Sequence, residues 1–212
     1  MDLPRVLLSG FEPFGSFSFN PSWQALLRAS QGSLLPPGAR FGLVEVPVTF
    51  DRAFAVFKHA LVGFCPDVAL CFGVHAGMAG RGAETIYIER LARNRDAATK
   101  ADNQGQIRKQ SAIHPDAPLE ISTRFAVEPF LSTLAAEGFE AEVSDDAGGY
   151  LCNHLYFRAT HAFGAEIPIL FVHVPPVEGA GGTMKLSRLA SAVSLLAGEA
   201  ARVAATISKE QA

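Results

Sequence analysis

The chain has 212 residues, of which 49% are apolar and 18% charged, with a formal net charge of −3. That composition excludes wholesale disorder and gives no basic excess for nucleic acid or an anionic membrane surface. At about 150 residues per domain, the length predicts one domain over residues 1–212. Cys65, Cys71 and Cys152 cannot all pair with one another, so a disulfide framework is not expected and a reducing, cytoplasmic setting fits. The start, Met1 to Arg5, has no signal-peptide pattern, and no stretch approaches the roughly 18 apolar residues of a membrane span.

Val6 to Ser9 is a short apolar run that reads as a buried strand. Gly10-Phe11-Glu12-Pro13-Phe14-Gly15 is too rich in glycine and proline for regular structure and predicts a loop. Asn20-Pro21 then opens a helix, with Asn20 as cap and Pro21 at the first helical position. A second strand is expected over 42–48. The helical spacing of Phe54, Phe57, Leu61 and Phe64 predicts a helix over 51–64. Val68 to Phe72 is a third strand and 86–91 a fourth. The polar stretch 97–119 predicts a long loop that shapes a site. A helix over 123–137, a strand over 140–144, a helix over 151–163, a strand over 168–174 and a long terminal helix over 183–208 follow. Alternating strands and helices predict an α/β domain with a largely parallel sheet.

Cys152 follows Gly148-Gly149 and begins an apolar helix. A thiol there meets the positive end of the helix dipole, which favours the thiolate, and the free N–H groups suit an oxyanion. The competing reading is a buried structural cysteine. Cys65 and Cys71 read as structural. A cysteine nucleophile needs a base. His154 is about 200° around the helix from Cys152 and should face away. His173 closes an apolar strand, at the end where ligands gather in open α/β sheets. Glu84 and Glu89 are both candidates to orient its imidazole. The scattered histidines and the absence of a Cys-x-x-Cys pair predict no metal site. The glycine-rich segment from Gly73 to Gly80 lacks the P-loop lysine and hydroxyl.

Several of these stretches coincide in one family. Gly10-Phe11-Glu12-Pro13-Phe14-Gly15, Glu89-Arg90-Leu91-Ala92-Arg93-Asn94, Gly148-Gly149-Tyr150-Leu151-Cys152-Asn153 and Phe171-Val172-His173-Val174-Pro175 resemble, in order, the motifs of the pyroglutamyl peptidase I (pyrrolidone-carboxylate peptidase) family. The resemblance implies an α/β/α three-layer sandwich around a mixed, largely parallel sheet. It implies a cysteine exopeptidase that removes an N-terminal pyroglutamyl residue, with no cofactor and no metal. Its partner would be a peptide with a blocked N-terminus, and the enzyme a cytoplasmic homo-oligomer, a tetramer by resemblance. Cys152 is then the nucleophile, His173 the base and Glu89 the orienting carboxylate. Phe11, Phe14, His75, Tyr150 and Leu151 are the expected substrate-binding residues.

The sequence also departs from the family pattern. His75 stands in place of a glutamine, and the stretch from there to Glu89 is about four residues longer than expected for the family. Ala98-Thr99-Lys100-Ala101-Asp102-Asn103 stands where the family has Ala-Arg-Ile-Pro-Asp-Asn. Thr99 thus replaces an arginine expected to assist the oxyanion, and a neighbouring lysine does not reproduce guanidinium geometry. The alternatives are therefore an amidase for another small acyl or cyclic amide group, and a non-catalytic family member.

Overall fold

The computed structural model describes residues 3–15, 17–75 and 83–210. In chain order the elements are β1 (Arg5–Phe11), α1 (Pro21–Gln31), β2 (Arg40–Val46), α2 (Ala53–Phe64), β3 (Val68–Val74), β4 (Ile86–Glu89) and β5 (Leu91–Arg93). They continue with β6 (Glu120–Ser122), α3 (Glu128–Ala136), β7 (Ala141–Ser144), α4 (Leu151–Phe163), β8 (Ile169–Val174) and α5 (Leu186–Glu210). Six strands form one sheet in the order β2-β1-β3-β8-β4-β7, and β5 and β6 form a separate antiparallel pair. Within the large sheet only the β4–β8 pairing is antiparallel.

Both faces of the sheet are covered, so its central strands are apolar on both sides. Val6, Leu8, Leu70, Phe72, Leu170 and Val172 face α1, α3 and α5. Leu7, Ala69, Cys71, Ile169 and Phe171 face α2 and α4. The result is the expected three-layer α/β/α sandwich around a mixed, largely parallel sheet. Strand periodicity then assigns the second face to the odd-numbered residues further along, including Gly73, Glu89 and His173.

Several boundaries differ from the sequence expectation, each for a local reason. The strand expected over 42–48 lies at Arg40–Val46, because Pro47 has no N–H to continue the ladder. The strand expected over 86–91 is two. Glu89 ends β4, and Leu91–Arg93 turns away to pair with Glu120–Ser122, a strand the sequence reading missed inside its long loop. The helix expected from 123 begins at Glu128, since Pro129 belongs in a first turn. Thr123 instead donates to the Ile169 carbonyl at 2.7 Å. The terminal helix starts at Leu186, because Met184 bridges to Val177.

One expectation about apolar stretches is also corrected. Residues 186–207 are long and apolar enough to cross a membrane by length and composition. In this fold the stretch is a core helix: Leu189, Val193, Leu196, Ala197 and Ala200 are buried with β1 and β3.

Candidate active site

Cys152 is the second residue of α4. Tyr150 precedes the helix in extended conformation (φ −111°, ψ −161°) and provides no side-chain cap. The first N–H groups of the helix have no intrahelical acceptor. Gly148, at φ +83°, makes the turn that brings α4 to this position. Gly149 lies so close to Ala97 that a Cβ would come within 2.6 Å of the Ala97 Cβ.

The sheet supplies the other groups. His173 lies opposite Gly73 of β3 and opposite Tyr87 of β4. Glu89 is opposite Phe171, which makes it the diagonal neighbour of His173 on the same face. Its Oε1 lies 2.7 Å from His173 Nδ1, and both residues are buried. Nδ1–H donating to a carboxylate leaves Nε2 as the basic nitrogen. Glu84 has no such geometry: its carboxylate accepts a bond from Thr183. Tyr156, one turn after Cys152, donates to the Glu89 carbonyl at 2.9 Å and so ties α4 to the end of β4.

Cys152 and His173 open on one cavity of about 400 Å³, a size suited to a small ligand. Phe14, Phe17, Val74, Tyr150 and the segment Ala97–Ala101 line it. Phe14 and Phe17 pack at 5.5 Å between ring centroids. The two outer walls are fastened to each other. Asn103 donates to Glu12 Oε1 and to the Pro13 carbonyl, each at 2.9 Å. Tyr150 donates its hydroxyl proton to the Ala101 carbonyl at 2.9 Å.

Three of the expected substrate-binding residues are not among the residues that line this cavity. Phe11 ends β1 and turns inward, its ring 6.5 Å from that of Phe171. Leu151 opens α4 with its side chain in the core. His75 is buried, with Nε2 3.0 Å from the Thr85 carbonyl and its ring on Tyr87. The glycine-rich segment beyond it, 76–82, lies outside the described residues. Phe14 and Tyr150 do line the cavity.

The thiol also differs from the sequence expectation. Desolvation, and then the negative charge of Glu89, push Cys152 up to about 12 despite its place at a helix start. The resting group is therefore a thiol, whose proton must leave by way of a base. Cys71 is buried and likewise pushed up to about 12. Cys65 is exposed at the end of α2. His154 faces away, as expected, and its Nδ1 lies 3.0 Å from Asp96 Oδ1, both residues buried. Among the described residues no group of three or more His, Cys, Asp or Glu side chains is placed to hold a metal ion.

Two residues that sequence reasoning passed over shape the site. Gly73 sits beneath the thiol: an added Cβ would come within 2.8 Å of both Cys152 Sγ and the Phe171 ring. Replacing Gly73 by alanine is expected to lower kcat by about 100-fold, because displacing a reacting atom by about 1 Å costs that much. A retained kcat in a steady-state assay would show that the thiol has room to spare.

Asp102 is the second. It accepts from the backbone N–H of Phe50 at 2.9 Å, Gln104 at 2.9 Å and Gln106 at 2.8 Å. Burial raises its pKa, but these bonds and Arg108 outweigh that and hold it below its ordinary value. The bonds pin the end of the Ala97–Ala101 wall. Asp102→Ala should cost about 1–3 kcal/mol in denaturant unfolding by leaving the buried Phe50 N–H unpaired. Because its folded pKa is lowered, the wild-type contribution is present above the ordinary value of 3.8 and is lost as pH falls through the folded value. The stability gap between wild type and variant should therefore narrow in acid.

Comparison with known proteins agrees with this architecture. A family model described as pyroglutamyl peptidase matches residues 4–203. The pyrrolidone-carboxylate peptidase of Gloeobacter violaceus is 34% identical over 173 residues, 81% of each chain. That of Streptomyces coelicolor is 33% identical, covering 82% of this chain and 78% of its own. Among solved structures, pyroglutamyl peptidase I of Bacillus amyloliquefaciens superposes with a TM-score of 0.84 at 29% identity, over 94% of this chain and 97% of that one. The pyrrolidone carboxyl peptidase of Fervidobacterium islandicum gives 0.80 at 29% identity, over 91% and 96%.

Proposed function

The chain belongs to the pyroglutamyl peptidase family, and from that premise we propose that it is a cysteine exopeptidase releasing an N-terminal pyroglutamyl residue from peptides. The observation that carries this reading is the buried Glu89–His173 pair, whose imidazole opens with Cys152 on one aromatic-walled cavity. A lactam is flat and uncharged, which suits walls made by Phe14, Phe17 and Tyr150 with few polar groups.

In this reading His173 Nε2 takes the Cys152 proton as sulfur attacks the exocyclic carbonyl of the pyroglutamyl residue. The S–C bond forms and the carbonyl becomes an oxyanion, held by the N–H groups at the start of α4. The imidazolium is stabilised by Glu89 and then gives its proton to the departing amine as the C–N bond breaks. Water, deprotonated by His173, attacks the thioester. Pyroglutamate leaves and the thiol is restored.

Oligomerisation and a cytoplasmic location belong to the same proposal. The free thiols of Cys65, Cys71 and Cys152 support a reducing compartment. Sedimentation of the purified protein tests the subunit number.

The substrate is tested with pyroglutamyl, prolyl and alanyl aminocoumarin amides. Turnover of the pyroglutamyl amide alone is the expected result. Turnover of none of them by a folded protein, with Cys152 still open to alkylation, would favour the amidase alternative. It would direct attention to Thr99, which replaces the arginine.

A further inference from the structure

Lys100 stands out once the cavity's charges are counted. Among the described residues that line the cavity it is, apart from His173, the only basic one, and none of them is acidic. It is exposed, and no ion pair holds it among the described residues. The nearby acidic groups are engaged elsewhere. Asp145 is bound by Arg90 at 2.6 Å, Asp146 by Arg95 at 3.4 Å, and Asp102 by three backbone N–H groups.

The lysine's backbone is also held in place. The Ala97 N–H donates to the Gly149 carbonyl at 2.8 Å, and the Ala101 carbonyl accepts from Tyr150. Asp102 fastens the next residue. The wall from Ala97 to Asp102 is thus tied to the strand-to-helix turn that carries the nucleophile, and the exposed Lys100 side chain stands on that wall.

A cation at this rim gains nothing from a neutral lactam. With the oxyanion assigned to the N–H groups that start α4, the group left for it to recognise is a charge on the part of the substrate beyond the scissile bond. We propose that Lys100 is a specificity residue that recognises a carboxylate on the residue after the cleaved bond, so that the preferred substrates are short or acidic pyroglutamyl peptides. This rests on the function proposed above. The carboxylate has two possible sources: the free C-terminus of a pyroglutamyl dipeptide, or the side chain of a following Asp or Glu.

The test compares kcat/KM for four substrates. Pyroglutamyl-alanine is set against its amide, and pyroglutamyl-glutamic acid amide against the glutamine analogue. Wild type, Lys100→Met and Lys100→Glu are assayed at low salt and at 1 M salt. An exposed pair is worth a factor of up to about 5, so the wild type should prefer the carboxylate member of at least one set by about 2–5-fold. The set that shows the preference identifies the source. Lys100→Met should bring the ratio to about one, and Lys100→Glu should invert it. High salt should also erase it, since screening then acts within about 3 Å.

Equal ratios in wild type and Lys100→Met would overturn the inference. So would an equal fall on all four substrates, which would assign Lys100 to the oxyanion instead. A failure of the underlying reading looks different: no pyroglutamyl compound, including the aminocoumarin amide, is turned over, and the inference falls with it.

Discussion

Cys152→Ala should abolish hydrolysis of a pyroglutamyl amide, with kcat reduced at least about 10⁴-fold, as when other covalent nucleophiles are removed. The fold should survive. The side chain is half-buried, its sulfur rests over Gly73, and alanine leaves only a small gap there. The thermal midpoint should therefore stay within about 3 °C of wild type, a shift that corresponds to well under 2 kcal/mol for a chain of this size. Iodoacetamide supplies an independent check. Exposed Cys65 should react in both proteins without affecting activity, whereas loss of wild-type activity should track modification of Cys152 alone. The sign of the pH dependence follows from the raised thiol: at neutral pH the proton is bound, so modification of Cys152 should quicken as pH rises through 9. A plateau reached in acid would mean a standing thiolate–imidazolium pair, and retained hydrolysis in the alanine variant would remove Cys152 from the mechanism.

The parts of this site visible in the sequence are those that depend on neighbours along the chain. A glycine pair before an apolar helix marks the turn at Cys152, and an apolar run ending in His173 marks a strand's carboxyl end. Glu89 could not be separated from Glu84 by spacing, because the choice depends on β4 running antiparallel to β8 and on the register that makes Glu89 diagonal to His173. That register is a long-range property. The same reason hid Gly73, whose role appears only when β3 is laid beside β8 beneath α4. Phe11 and Leu151 show the opposite failure. Each sits in a site-forming motif, but their side chains turn inward into the core. Helical spacing alone turns His154 away from the thiol, whereas its partner Asp96 lies 58 residues earlier in the chain, a pairing that no local pattern signals.

The exchange that separates Glu89's chemistry from its packing is Glu89→Gln. The two side chains have the same shape, but the amide carries no charge and can present an N–H to Nδ1. That would favour the imidazole tautomer with its proton on Nε2, which cannot accept the thiol proton. A comparable exchange in a serine-protease triad lowers turnover about 10⁴-fold, and a fall of about 10²–10⁴ is expected here. It should be confined to kcat, because Glu89 is buried behind His173 and is not among the residues lining the cavity. Cys152 should respond in the opposite direction. The charge of Glu89 is one of the causes that raise the thiol, so its removal lowers the thiol pKa and increases the thiolate fraction at pH 9. Alkylation of Cys152 should then be as fast as in wild type or faster, while hydrolysis is nearly lost. A merely structural role would lower both rates together and shift the unfolding midpoint. Unchanged hydrolysis would remove Glu89 from the proton path and leave His173 to act without an orienting carboxylate.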